Sequence, residues 1–116
     1  MFTPQLTLNL AEGSIAFKFT PAAAQELKAE LVVLMDSLKV TATQGGATAK
    51  ANPKQSMEYQ YTGDVFLEIF CNPNIWPSPF AAKVLLTVRD DRIRLTTEAE
   101  LSRLFEDVNQ YLELNA

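Results

Sequence analysis

The chain has 116 residues, of which 47% are hydrophobic and 21% charged, with a net charge of −4 and no histidine. That length and apolar fraction suit one domain, residues 1–116, with a core of its own. The acidic balance argues against a protein held to nucleic acid by bulk charge, and the missing imidazole excludes histidine triads and most zinc sites.

The remaining chemistry is sparse. Cys71 is the single cysteine, so no disulfide can close within the chain and a reducing cytoplasm is the expected compartment. The start, MFTPQLTLNL, lacks a basic region followed by an apolar run, and the longest apolar run, Leu31 to Met35, is too short to span a bilayer. A soluble, cytoplasmic protein is expected. No glycine-rich phosphate cradle of the common kinds occurs. Glu58 and Glu68 are the most plausible strand carboxylates, expected on opposite faces and so not a cooperating pair. We expect no catalytic site, cofactor or metal.

Leu6, Leu8 and Leu10 alternate with Thr7 and Asn9, the period of two of a half-buried strand. Residues 11–14 then turn, with Gly13 expected at positive φ, and Ile15, Phe17 and Phe19 alternate along a second strand. Thr20-Pro21 starts a helix, with Thr as cap and Pro at the first helical position. It is expected to run from Pro21 to about Lys39. Ala24, Leu27, Leu31, Leu34 and Leu38 form its inner stripe, and Val32, Val33 and Met35 widen the apolar face beyond what one packing surface needs. Either the helix sits centrally in its own domain or Val32 and Val33 meet another subunit.

Residues 40–56 are small and polar, with Gly45-Gly46 and Asn52-Pro53, and have too little apolar surface to offset their ordering entropy. A mobile loop is expected there; a functional flap carrying Lys50 and Lys54 is the alternative. Met57, Tyr59 and Tyr61 alternate in a third strand, and Val65, Leu67, Ile69 and Cys71 in a fourth. A two-residue turn at Gly63-Asp64 would set Tyr61 opposite Phe66 and leave both faces of this hairpin partly apolar. Residues 72–80, NPNIWPSPF, hold three prolines and cannot continue a strand or helix. Their apolar residues either fold down as a lid or present Trp76 and Phe80 to a partner, aromatics being frequent interface anchors.

Val84, Leu86 and Val88 alternate in a fifth strand and Ile93 and Leu95 in a sixth, joined by Asp90-Asp91 as a two-residue loop that pairs Val88 with Ile93. Thr97 and Glu100 have the spacing of a capping box. Leu101, Leu104, Phe105, Val108, Tyr111 and Leu112 lie on one helical stripe, with Glu98, Arg103, Glu106, Asp107 and Gln110 opposite. Residues 6–38 and 84–112 thus share one plan of hairpin, threonine cap and helix. The expected fold is α+β: an antiparallel sheet of about six strands with two amphipathic helices on one face, in the order ββα-ββ-ββα. Residues 57–112 alone read ββββα, an order of elements that resembles PUR-type single-strand binders.

Two functions follow from different residues. The first is a small, non-catalytic interaction module that forms a homodimer and binds a protein through Val32, Val33, Trp76 and Phe80. The second is single-stranded nucleic-acid binding. Lys83, Arg89, Arg92 and Arg94 are expected on the sheet face opposite the core, with Arg89 across from Arg92, and Tyr59 and Tyr61 beside them would stack bases. Without such a ligand that face is a solvated surface countered by Asp90 and Asp91.

Overall fold

The structure, a computed structural model, describes residues 3–44 and 55–115. Strands β1 (Gln5–Leu10) and β2 (Gly13–Lys18) form a hairpin, and helix α1 (Pro21–Gln44) follows. Strands β3 (Met57–Thr62), β4 (Phe66–Cys71), β5 (Lys83–Arg89) and β6 (Arg94–Glu100) form an antiparallel meander, interrupted by one 3₁₀ turn at Pro73–Ile75, and helix α2 (Leu101–Asn115) ends the chain. The class is α+β, as expected. The six strands are divided between a two-stranded and a four-stranded antiparallel sheet.

Helix α1 starts where the sequence dictates. The Thr20 hydroxyl accepts from the Ala23 N–H at 3.1 Å, and Pro21 occupies the first turn, where no donor is lost. The helix continues past Lys39 to Gln44, which corrects the boundary set at residue 40: Val40 to Gln44 contains no glycine or proline, and Gly45 is the first breaker. Residues 45–54 of the expected mobile loop, Lys50 and Lys54 included, lie outside the described residues.

Ala24, Leu27, Leu31, Leu34 and Leu38 are all buried, as the stripe requires. They pack with Leu67, Ile69, Val84, Leu86 and Val88 from the inner face of the four-stranded sheet and with Leu101, Leu104, Val108, Tyr111 and Leu112 of α2 in one continuous core. Helix α1 lies beside β3 and helix α2 beside β6, so both helices cover the same sheet face and touch each other.

The β1–β2 hairpin joins this core through side chains. Leu6 faces Phe17 and Leu8 faces Ile15, and β1 runs against α2. Asp107, expected on the outer side of α2, is instead buried: its two carboxylate oxygens accept from the Asn9 backbone and side-chain amides, each at 2.8 Å. The paired leucines and phenylalanine could not signal this contact, because it joins residues far apart in the chain. Gly13 does not adopt positive φ; Ala11 and Glu12 make the turn, and Gly13 pairs with Leu10 as the first residue of β2.

Both meander hairpins have longer loops than expected. Gly63, Asp64 and Val65 link β3 to β4, so Thr62 rather than Tyr61 faces Phe66. Gly63 sits under the Tyr61 ring, where an added Cβ would come within 2.6 Å of the ring's Cζ. Asp90 to Ile93 link β5 to β6, so Val88 faces Leu95 and Arg89 faces Arg94. The Asp90 carboxylate accepts from the Arg92 and Ile93 N–H groups at 2.8 and 2.9 Å, an Asx turn that stabilises the wider loop. Ile93 consequently lies in the loop and is 66% exposed.

The capping box is also absent. Thr97 is a strand residue opposite Leu86, and β6 runs to Glu100, directly into α2. The Leu101 N–H finds its acceptor in the Ala82 carbonyl at 3.0 Å. A tertiary hydrogen bond thus satisfies an amide that a local cap was expected to serve. The plan expected to be shared by residues 6–38 and 84–112 therefore fails at its second threonine cap.

The Asn9–Asp107 pair predicts a measurable asymmetry within α2. Asp107→Ala should lower the unfolding free energy by about 2 kcal/mol, since it removes two charge-assisted bonds and strands Asn9. Glu106→Ala, on the exposed side of the same helix, should change it by less than about 0.5 kcal/mol. Urea denaturation of the two variants beside the parent chain reads both values.

Candidate functional site

The inner face of the meander is consumed by the core, and the outer face is open. Strand alternation and the observed pairing arrange that outer face in rows. Thr62, Phe66, Arg89 and Arg94 form the first, running from β3 to β6. Gln60, Glu68, Thr87 and Thr96 form the second, and Glu58, Phe70, Leu85 and Glu98 the third. Lys83 and Glu100 close the far end.

Each row has its own chemistry. In the first, the Arg89 guanidinium carbon lies 4.4 Å from the centroid of the Phe66 ring, a cation–π contact worth about 0.5–1 kcal/mol at an exposed site. Arg89 and Arg94 are direct cross-strand partners, and like charges so placed repel. The second row is internally satisfied: the Gln60 amide donates to Glu68 at 2.9 Å, and the Thr87 and Thr96 hydroxyls share a hydrogen at 3.4 Å. In the third, half-buried Phe70 and Leu85, which is 46% exposed, are cross-strand neighbours between two carboxylates.

The face is therefore polar in charge as well as in chemistry. Arg89 and Arg94 hold one end; Glu58, Glu98 and Glu100, with Lys83, hold the other. Among the described residues, Arg94, Glu58, Glu98 and Glu100 make no ion pair. Lys18 and Asp64, off the face, pair at 3.8 Å.

The residues read from the sequence are brought together only in part. Lys83, Arg89 and Arg94 share the outer face, but a strand rise of about 20 Å separates Lys83 from Arg89. Arg92 is in the β5–β6 loop, not across from Arg89. Tyr59 and Tyr61 lie on the opposite face. Tyr59 is buried and its hydroxyl donates to the Ala23 carbonyl at 3.4 Å, while Tyr61 stacks edge-on against Phe19 at 4.7 Å. The extra loop residue at Val65 is the cause, since it shifts the pairing by one and moves the tyrosines off the face that holds Phe66 and Phe70. Phe66 and Phe70 stand there instead, and the repeated Phe-x-x-x-Phe spacing on β4 was their only signal. Glu58 and Glu68 correspondingly share the outer face, with Glu68 bonded to Gln60.

The four apolar positions expected to meet a partner differ among themselves. Val33 is 71% exposed and Phe80 83% exposed, Val32 is at the margin of exposure, and Trp76 is half-buried against the core. The proline-rich segment thus acts as a lid at Trp76 and Pro73, while leaving Phe80 outside. Val33 also lines a groove of about 410 Å³ between α1 and β3, together with Glu30, Leu34, Met57 and Glu58.

Cys71 is buried on the inner face and its thiol is pushed up to about 11 by desolvation, which suits a packing residue rather than a nucleophile. Among the described residues, no group of three or more cysteines and carboxylates is placed to hold a metal ion, and no helix is long and apolar enough to cross a membrane. No protein family, curated protein or solved structure matches this chain.

Burial leaves its mark on Tyr59. Its phenol is pushed up to about 12, chiefly by desolvation, with the carboxylates of Glu26 and Glu30 and the neighbouring Tyr61 adding to the effect. An unfolded tyrosine ionises near pH 10. The raised folded value means that the contribution of neutral Tyr59 to stability is whole below about pH 10 and is lost as pH rises through about 12. A spectrophotometric titration should show a late-ionising phenol, and Tyr59→Phe should remove that phase and move base-induced unfolding to higher pH.

Proposed function

We propose that this chain is a small, non-catalytic assembly module that self-associates through the outer face of its four-stranded sheet. One observation carries the reading. Phe66, Phe70 and Leu85 all stand on the open sheet face, Phe70 beside Leu85 and Phe66 beside Arg89, with Arg89 and Arg94 at one end and Glu58, Glu98, Glu100 and Lys83 at the other. An antiparallel sheet can leave one face to water, but that face is then normally polar along its length. Here Phe70 and Leu85 are cross-strand neighbours and Phe66 stands at the arginine end beneath Arg89, so apolar side chains alternate with charges across the face.

The face is about 20 Å on a side, from the spacing of four strands and the rise of seven residues. That is small beside the roughly 800 Å² per partner of a standard interface, so a reversible dimer in the micromolar range is the expectation. Val33 and Phe80, exposed elsewhere on the chain, supply apolar contacts for a second protein partner within the same reading. A cytoplasmic location is in keeping with the single buried thiol.

The nucleic-acid reading keeps the Arg89–Arg94 pair but loses its stacking residues, because Tyr59 and Tyr61 are used by the core. Carboxylates of Asp64, Asp90 and Asp91 also edge the hollow beside Arg89 and Phe66, which disfavours a phosphate backbone there.

Sedimentation velocity across a concentration series should show a monomer–dimer equilibrium. Leu85→Lys should leave the circular dichroism spectrum unchanged and hold the protein as a monomer; undiminished association of that variant would place the interface elsewhere. In parallel, anisotropy of short labelled single-stranded DNA and RNA should stay flat even at low salt. A rise that collapses with added salt would favour the nucleic-acid reading instead.

A further inference from the structure

We infer that the free edge of β3 takes an extended, basic segment of a partner protein as an added strand, seated where β3 meets α1. This gives the chemistry of the second partner assigned above to Val33. It rests on the partner-binding half of that reading and is independent of its self-association half.

The four-stranded sheet has two edges, β3 and β6. Strand β6 runs straight into α2 and has β1 beside it, whereas no strand pairs with the outer side of β3 among the described residues. The turn decides which groups of β3 are unspent. The Gly63 N–H donates to the Val65 carbonyl at 3.0 Å, and bonded and non-bonded pairs alternate along an antiparallel ladder. Tyr61, Tyr59 and Met57 therefore turn their main-chain groups toward β4, and Thr62, Gln60 and Glu58 turn theirs outward. No hydrogen bond among the described residues takes these outward groups. Such a row is a template for an extended chain.

The surroundings of the edge select the occupant. Helix α1 lies beside β3 on the inner face of the sheet. Glu30, Val33 and Leu34 of α1, with Met57 and Glu58 of β3, line the groove of about 410 Å³ between them. An added strand would point alternate side chains into this groove and onto the outer face. Those entering the groove meet Val33, Leu34 and Met57, with Glu30 at the rim. Those on the outer face run beside Glu58 and Gln60. Glu26, one helical turn before Glu30, lies close enough to the Tyr59 phenol to act on it, so it extends the acidic border along the edge.

Glu26, Glu30 and Glu58 are exposed and make no ion pair among the described residues. The groove's described lining contains no cation. A segment that alternates apolar and basic residues answers both features: main-chain pairing holds it, the groove takes its apolar side chains, and the carboxylates take its cations. A second copy of the chain answers neither. Pairing β3 with itself would set one surface on its own copy and bring these carboxylates against each other, in a chain whose net charge is −4.

The probe is a fluorescein-labelled, amidated heptapeptide of alternating lysine and valine, with a glutamate–valine peptide as its counterpart. Anisotropy should show the lysine peptide binding, more weakly as salt is added, and the glutamate peptide remaining free. Glu30→Lys/Glu58→Lys, which alters two exposed positions, should weaken the lysine peptide by roughly tenfold or more and keep its circular dichroism spectrum. Amide hydrogen exchange of the parent chain, read by NMR, needs no variant. On addition of the lysine peptide, exchange at Glu58, Gln60 and Thr62 should slow by roughly tenfold or more, while Tyr59 and Tyr61, already bonded to β4, change little.

Binding without that alternating protection would mean loose attachment to an acidic surface and would overturn strand addition. Equal binding by the charge-reversed variant, or equal binding of both peptides, would overturn the basic partner. Sedimentation of the same samples separates this from the sheet-face reading. A monomeric parent chain that binds the lysine peptide with the protected pattern supports the edge site while self-association fails. A dimer that binds neither peptide overturns the edge site and leaves self-association standing.

Discussion

The architecture depends on what surrounds Phe19. This fully buried residue leaves β2 immediately before the cap of α1, and its ring meets Phe17, Tyr61 and Tyr111 in edge-on contacts at 5.9, 4.7 and 6.3 Å. Its backbone is held as firmly as its ring: the N–H donates to the Pro4 carbonyl, and the Phe19 carbonyl accepts the Tyr111 hydroxyl. One residue thereby ties the hairpin, the meander and the last helix together. The hairpin has no ladder bonds to the four-stranded sheet, so it is through such side-chain and helix contacts that its position is set. With that corner filled, both helices are pressed to a single side of the meander and the other side is left to water.

The sequence showed which segments alternate and which wind, because period two and period 3.6 are local properties of the chain. It showed less well how long each loop would be, and the two loops had unequal consequences. Between β5 and β6 the error was two residues, an even shift that leaves Val84, Leu86 and Val88 on the core side whichever partner they face. Between β3 and β4 it was a single residue, Val65, and that odd shift moved Tyr59 and Tyr61 from the arginine face to the core. The signal that decides between two and three loop residues was weak, since Gly63-Asp64 serves either. The Asx turn at Asp90 was equally silent beforehand, because an aspartate both terminates strands and closes turns.

Long-range polar partners were the other blind spot. Asp107 was assigned to solvent because its neighbours Glu106 and Gln110 are solvent-facing and because carboxylates are seldom buried without a partner. The partner is Asn9, which no spacing rule connects to it. The same holds for the Leu101 amide, whose acceptor is Ala82. The candidate surface was therefore legible in its arginines and only partly in its aromatics: Arg89, Arg94, Phe66 and Phe70 follow from strand parity alone, whereas the placing of Tyr59 and Tyr61 in the core emerges only once the turn is known.

The bond from the Asn9 amide to Asp107 has a consequence beyond anchoring. Strand β1 is paired on one side only, and its other side is a row of main-chain groups of the kind onto which a foreign strand can zip, extending a sheet from molecule to molecule. A carboxylate brought in by α2 already occupies one of those donors, and an incoming strand would have to dislodge a buried negative charge before its own ladder could form. The helix thus serves the hairpin as an end-stop against polymerisation. Strand addition at that edge of the small sheet is thereby disfavoured.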